Sequence, residues 1–198
     1  MRTTRILSSE VVAKAWGTLT QYTFQFSKLS GELTEITREV YDRGHAAAIL
    51  LHDPLRDMVI LVRQFRPPAM VNGGNPFLVE VCAGVLDGDD PATCARKEAL
   101  EEAGVVVKDI RLITSAYGLP AAVTEVLSLF IGTYDGTEIQ EGGGLPDEGE
   151  DIEVLELPFQ VAFQMISSGE IVDMKTIVLL QHLMLERLAT SNNLSPPA

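Results

Sequence analysis

Apolar and polar side chains alternate along the first part of the chain. Residues 18–26 (TLTQYTFQF) and 32–41 set β-branched and aromatic residues against polar ones, and residues 27–31 (SKLSG) between them carry turn chemistry, which predicts a β-hairpin. Residues 45–52 and 58–66 are apolar, β-rich runs separated by Asp53-Pro54, a turn signal. Three prolines and two glycines predict a loop over residues 67–76, followed by a strand over 77–83. The period then changes. Asp90-Pro91 opens a helix, with Asp90 as N-cap and Pro91 at the first helical position, and Gly104 closes it after Ala103. Residues 105–107, 110–116 and 126–134 return to strand character, 142–151 form a Gly-rich acidic loop, and 158–168 and 173–189 have helical spacing. Residues 190–198 are polar and Pro-rich and are expected to be a disordered tail. Strands with one central helix and terminal ones define an α+β layout.

With 198 residues, 46% of them hydrophobic, the chain suits one domain or one domain with a small appendage. The pattern splits it into residues 1–43, a strand region, and 44–189, the main domain. Its 15 Lys and Arg against 28 Asp and Glu leave a net charge of −13, which argues against nonspecific nucleic-acid binding because phosphate contacts need basic surface. The longest uncharged apolar runs, such as 46–51 and 177–180, are too short to span a membrane, and the first residues hold no apolar leader segment. Two cysteines, Cys82 and Cys94, make no disulfide framework, so a cytoplasmic location is expected. The histidines His45, His52 and His182 show no metal-ligand spacing.

Candidate chemistry concentrates in residues 83–105, AGVLDGDDPATCARKEALEEAGV. On a 3.6-residue period Glu98, Glu101 and Glu102 share one helix face, while Ala92, Ala95, Ala99 and Ala103 leave the other face small enough to approach a sheet. Like charges at this spacing cost an isolated helix roughly 0.2–0.5 kcal/mol per pair, so the face is either solvated or collects a cation. The glycine-containing entry loop, Lys97 before the first glutamate, and Gly104-Val105 at the end favour the second alternative.

This segment resembles the Nudix box, G-x5-E-x7-R-E-U-x-E-E-x-G-U with U aliphatic; residues 97–105 align with its end without gaps. Lys97 replaces the usual arginine, and the entry loop is one residue short, so that Asp89 takes the place of the first glutamate. Lysine keeps the charge but loses the bidentate fork, so its partner geometry must differ. Residues 38–44 (REVYDRG), 62–66 (VRQFR), 86–89 (LDGD), 123–125 (VTE), 142–144 (GGG), 150–158 and 169–178 resemble stretches of the nucleotide-sugar pyrophosphatases of this superfamily, most of all those acting on GDP-mannose. The resemblance implies a Nudix-type α/β/α sandwich with a mixed sheet, plus a small N-terminal antiparallel sheet exchanged in a homodimer.

Cleaving a nucleoside diphosphate sugar requires neutralising phosphate charge, positioning a water and taking its proton. Mg²⁺, with hard oxygen ligands, suits the first task, and the resemblance implies Mn²⁺ as a substitute. It implies metal ligands at the Ala83 carbonyl, Glu98, Glu102 and Glu150, with Glu101 as a possible addition, and a catalytic set of Glu98, Glu102 and Glu125, the last as general base in a mobile loop. In that loop Leu119-Pro120-Ala121-Ala122 stands where relatives often carry Ser-Pro-Gly-Gly, a stiffer sequence. Arg38 and Arg66 are candidates for diphosphate or sugar contacts, their forks matching phosphate oxygens, and Thr37, Glu39 and Lys175 resemble substrate-contacting positions. Trp16, the one tryptophan, is a candidate to stack on a base. The expected reaction is GDP-mannose to GMP and mannose 1-phosphate. ADP-ribose hydrolysis and a non-catalytic nucleotide-binding regulator are the alternatives.

Overall fold

A computed structural model describes residues 2–136, 142–145 and 149–193, the last three of these without side chains. The chain divides into two compact units, residues 1–45 with 117–126, and residues 46–116 with 127–198.

The first unit is built on a three-stranded antiparallel sheet of β1 (Thr4–Lys14), β2 (Thr18–Ser27) and β3 (Leu33–Asp42) in the order β1-β2-β3. The β2–β3 hairpin is the predicted one. Strand β1 was not predicted, and its register explains why: shifts between Ile6 and Ser8 and between Val11 and Ala13 break the two-residue period, leaving Ile6-Leu7 and Val11-Val12 as apolar doublets. Residues 119–125 attach to the end of β3 through backbone bonds from Tyr41 N–H to Ala122 O (2.9 Å) and from Thr124 N–H to Tyr41 O (3.1 Å).

In the second unit a seven-stranded mixed sheet runs β10-β5-β4-β9-β8, with β6 paired to β5 and β7 to β4. Its strands are β4 (Ala46–Asp53), β5 (Met58–Phe65), β6 (Phe77–Glu80), β7 (Cys82–Val85), β8 (Ile110–Tyr117), β9 (Val126–Thr133) and β10 (Glu153–Pro158). β4 runs parallel to β9 and antiparallel to β5 and β7. Helix α2 (Pro91–Ala103) covers one face, and α3 (Phe159–Ser168) and α4 (Met174–Asn193) the other. Every residue of β4 is buried because its sides serve two cores. Ala47, Ile49 and Leu51 pack with Cys94, Ala95, Ala99 and Ala103 of α2. Ala48 and Leu50 pack with Phe159, Leu179 and Leu180. The alanine face of α2 thus lies on the sheet, as its spacing predicts.

Several boundaries differ from expectation. A five-residue helix, α1 (Pro67–Val71), lies inside the predicted loop, its two prolines sitting at N1 and N2, where no N–H is needed. Residues 105–107 form no strand, although Val105 and Val107 are buried. β10 was not predicted. Helix α4 continues through Asn193, four residues into the expected tail, while residues 194–198 lie outside those described.

Gly132 shows how tightly the α2 face is filled: a methyl group there would approach Ile49 Cδ1 to 2.7 Å and Val107 Cγ1 to 2.8 Å. Ile49→Val removes that Cδ1 and leaves a void that the flanking strands cannot close. We expect a loss of about 0.5–1.5 kcal/mol in urea unfolding, with an unchanged m-value.

Candidate active site

Local chemistry sets helix α2 as predicted. The Asp90 carboxylate accepts from Ala92 N–H (3.0 Å) and Thr93 N–H (3.2 Å), and Gly104 ends the helix at φ 68°. Lys97 pairs with Asp89. The two departures from the Nudix pattern are therefore partners of each other, a single-point ion pair standing where a fork would otherwise meet a glutamate.

One turn on, the glutamate face meets β7. Ala83 N–H donates to Glu102 Oε2 (3.1 Å), and Gln64 Nε2 donates to Glu102 Oε1 (3.2 Å). Glu102 is only 2% exposed, and burial, reinforced by the neighbouring Glu98 charge, pushes its carboxyl up to about 8. Glu98 lies against Gly84: a Cβ there would have all three atoms of the Glu98 carboxylate group within 2.9 Å. The structure thus gathers Glu98, Glu102 and the Ala83–Gly84 backbone at one spot. Two adjacent carboxylates against one stretch of strand backbone, one of them desolvated and made reluctant to ionise, form a hard-oxygen set suited to a divalent cation.

The glycine-rich loop docks on the end of α2. Gly143 N–H donates to Glu102 O (2.9 Å) and Gly144 N–H to Glu101 O (3.1 Å), satisfying carbonyls left open at the helix C-terminus. Gly142 approaches so closely that a Cβ would lie within 2.8 Å of backbone atoms of residues 102–104. Glu150, carried by the same loop, accepts from Leu145 N–H (2.9 Å) and packs on Gly144. Among the described residues no three His, Cys, Asp or Glu side chains come together closely enough to hold a metal ion. Glu150 thus lies on the loop docked at the end of α2, and Glu101, half-buried, contributes its carbonyl to the loop contact.

Arg66 and Lys175 converge on a residue not singled out from the sequence. Glu80, on β6, takes both Arg66 Nε and Nη2 at 2.9 Å and also pairs with Lys175. A charged residue closing an otherwise apolar strand run was the available signal. Gln64 was missed too, as one polar position on a buried strand.

The remaining candidates lie in the first unit. Glu125 Oε1 accepts from Arg43 Nε (3.0 Å), and the Arg43 guanidinium stacks 4.4 Å from the centre of the Trp16 ring. Trp16, 77% exposed, has one face occupied by that cation. On β3, Thr37 shares a hydroxyl bond with Thr23, Arg38 turns back to the Thr37 carbonyl (2.8 Å), and Glu39 is exposed. Both cysteines are thiols unsuited to reaction. Burial and then the Glu102 charge push Cys82 well above its ordinary value; burial and then Glu98 push Cys94 to about 11.

The chain matches the NUDIX domain over residues 42–170 and the GDP-mannose pyrophosphatase NudK N-terminal domain over residues 3–41. It is 42% identical over 190 residues to a GDP-mannose pyrophosphatase of Klebsiella pneumoniae subsp. pneumoniae, covering 95% of each chain. Identity to the protein of that name in Salmonella typhimurium is 43% over 189 residues, covering 94% of this chain and 98% of the relative. Among solved structures, an ADP compounds hydrolase superposes with a TM-score of 0.70 at 18% identity, covering 95% of both chains, a likeness of fold. No helix among the described residues is long and apolar enough to cross a membrane. Matched over most of its length by the family's domain and by these relatives, the chain belongs to the Nudix family of hydrolases.

Proposed function

We propose that this Nudix hydrolase cleaves the diphosphate bond of a nucleotide sugar, GDP-mannose to GMP and mannose 1-phosphate, with Mg²⁺ as cofactor. The observation that carries the reading is the pairing of Glu98 and Glu102 at the Ala83–Gly84 backbone, in a chain whose relatives over nearly its full length are named for GDP-mannose. Ala83 O, Glu98 and Glu102, joined by Glu150, would hold the cation, which supplies Lewis-acid stabilisation of phosphate charge and favours ionisation of a water. The chain's own groups do the rest. Gln64 and the Ala83 N–H orient the Glu102 carboxylate. Arg66 and Lys175 offer positive charge to the phosphates or the sugar, as does Arg38, with Thr37 and Glu39 beside it on β3. Glu125 takes the proton of the attacking water, and Arg43 fixes its carboxylate orientation. With one face on Arg43, Trp16 supports the Arg43–Glu125 pair and keeps its open side to stack on the base.

A homodimer belongs to the same reading, since Ile6, Val11 and Val12 of β1 are 60%, 59% and 53% exposed, apolar surface suited to burial by a second copy. A cytoplasmic location fits a nucleotide-sugar substrate. The test is a panel of GDP-mannose, ADP-ribose and other nucleoside diphosphate sugars with Mg²⁺ or Mn²⁺, read as nucleoside monophosphate released. We expect GDP-mannose to give the highest kcat/KM and chelation to abolish turnover. Preference for ADP-ribose would replace the substrate assignment, and release from none would return the chain to the class of non-catalytic binders.

A further inference from the structure

Glu80, on β6, is the centre of a buried ionic network. Its side chain is 3% exposed, and both of its oxygens are engaged, by the Arg66 fork and by Lys175. Lys175 also donates to Asp173 Oδ1 (3.0 Å), and the other oxygen of Asp173 accepts from Thr176 N–H (3.0 Å) and from its hydroxyl (2.5 Å). The Thr176 hydroxyl oxygen in turn accepts from Val81 N–H (2.8 Å). The start of α4 is thereby tied to the junction of β6 and β7, two residues before Ala83.

Burying charge in this way is a poor route to stability, because apolar residues of similar volume often hold a core as well or better. What the network does provide is geometry. Two flexible cationic side chains, from the end of β5 and the start of α4, converge on one rigid carboxylate, and the rotamer freedom that each would otherwise lose on binding an anion is already lost. Glu80 occupies Nε and Nη2 of Arg66, and among the described residues Nη1 makes no hydrogen bond. Arg66 also lies within electrostatic reach of Glu102, which puts it near the glutamate pair.

Resting on the reading of Arg66 and Lys175 as substrate-facing groups, we propose that Glu80 is a positioning residue: it presets their two cationic heads as one unit that receives the anionic part of the nucleotide sugar. Glu80 does not itself touch substrate, and its effect passes through Arg66 and Lys175.

A double-mutant cycle on steady-state GDP-mannose hydrolysis tests this, with E80Q, R66A and the combined variant compared at saturating Mg²⁺. E80Q and R66A are each expected to lower kcat/KM roughly 10–100-fold, chiefly by raising KM, as for other groups that orient a direct contact. In the combined variant E80Q should cost clearly less beyond R66A than it costs alone, because only Lys175 is left for Glu80 to hold. The Mg²⁺ concentration for half-maximal activity should stay that of the wild type in all three. Equal losses from E80Q in both backgrounds, or a wild-type KM in E80Q, would overturn the proposal. Wild-type kinetics in R66A would instead remove the substrate role of Arg66, a separate failure. Should E80Q not fold, R66K keeps the charge and Glu80 while losing the fork. It is expected to match R66A in KM, and a wild-type KM there also overturns the proposal.

Discussion

Glu102→Gln is expected to lower kcat at least about a hundredfold, the scale on which removal of a group that sets transition-state electrostatics is felt, while the fold is unharmed. Glutamine has nearly the shape of glutamate, and its carbonyl can still accept the Ala83 N–H. What disappears is the second negative charge beside Glu98, and with it the attraction for a cation. Stability should move the other way. A carboxyl raised to about 8 in the folded state, from an ordinary value of 4.5, stabilises the protein below the lower value and ceases to do so as pH rises through the upper one. The metal-free wild type should therefore lose melting temperature between about pH 5 and 9 relative to the glutamine variant. Full activity in Glu102→Gln would remove Glu102 from the site. A metal-free melting temperature that falls equally with pH in both proteins would place the cost of that rise elsewhere.

Gly84→Ala should separate activity from folding still more cleanly. Gly84 is not in the left-handed region, so alanine meets no backbone strain, and the atoms a methyl group would strike are the mobile end of the Glu98 side chain. The protein can accommodate the change by swinging that carboxylate away, at little cost to stability. Activity has no such escape, since the carboxylate must leave the position where it meets Gly84 beside Glu102. Loss of turnover on the scale of Glu102→Gln, with a melting temperature within a few degrees of wild type, is the expected pair of results. A Gly84→Ala enzyme that turns over normally would show that the position of Glu98 against β7 is irrelevant to catalysis.

The contrast between these glutamates and Glu80 shows what kind of information each level held. Helix α2 and its carboxylate face were legible in the sequence because everything that defines them is local: Asp90 and Gly104 cap the ends, and the 3.6-residue period places Glu98 and Glu102 together. Strand β1 escaped because its bulges break the alternation from which strands are read. The departures at Asp89 and Lys97 were visible one by one, yet eight positions separate them, and only the folded entry loop makes them a pair. Arg66 was found by its fork and Lys175 by resemblance, and what holds them was not, because Glu80 reaches Lys175 across 95 residues of chain.

By itself the sequence determined most of the strands, one capped helix bearing three glutamates and, through the resemblance of its segments to the Nudix pattern, the expectation of a hydrolase. Tertiary structure decided what the carboxylates meet. The missing Cβ of Gly84 admits Glu98, the Ala83 N–H aims Glu102, and Glu80 holds Arg66 and Lys175 at one point. The physical reason is the range of the forces involved. Helix periodicity and capping act over a few residues and leave their mark in order along the chain. Close packing and ion pairing act over a few ångströms, between residues that the chain brings together only when it is folded.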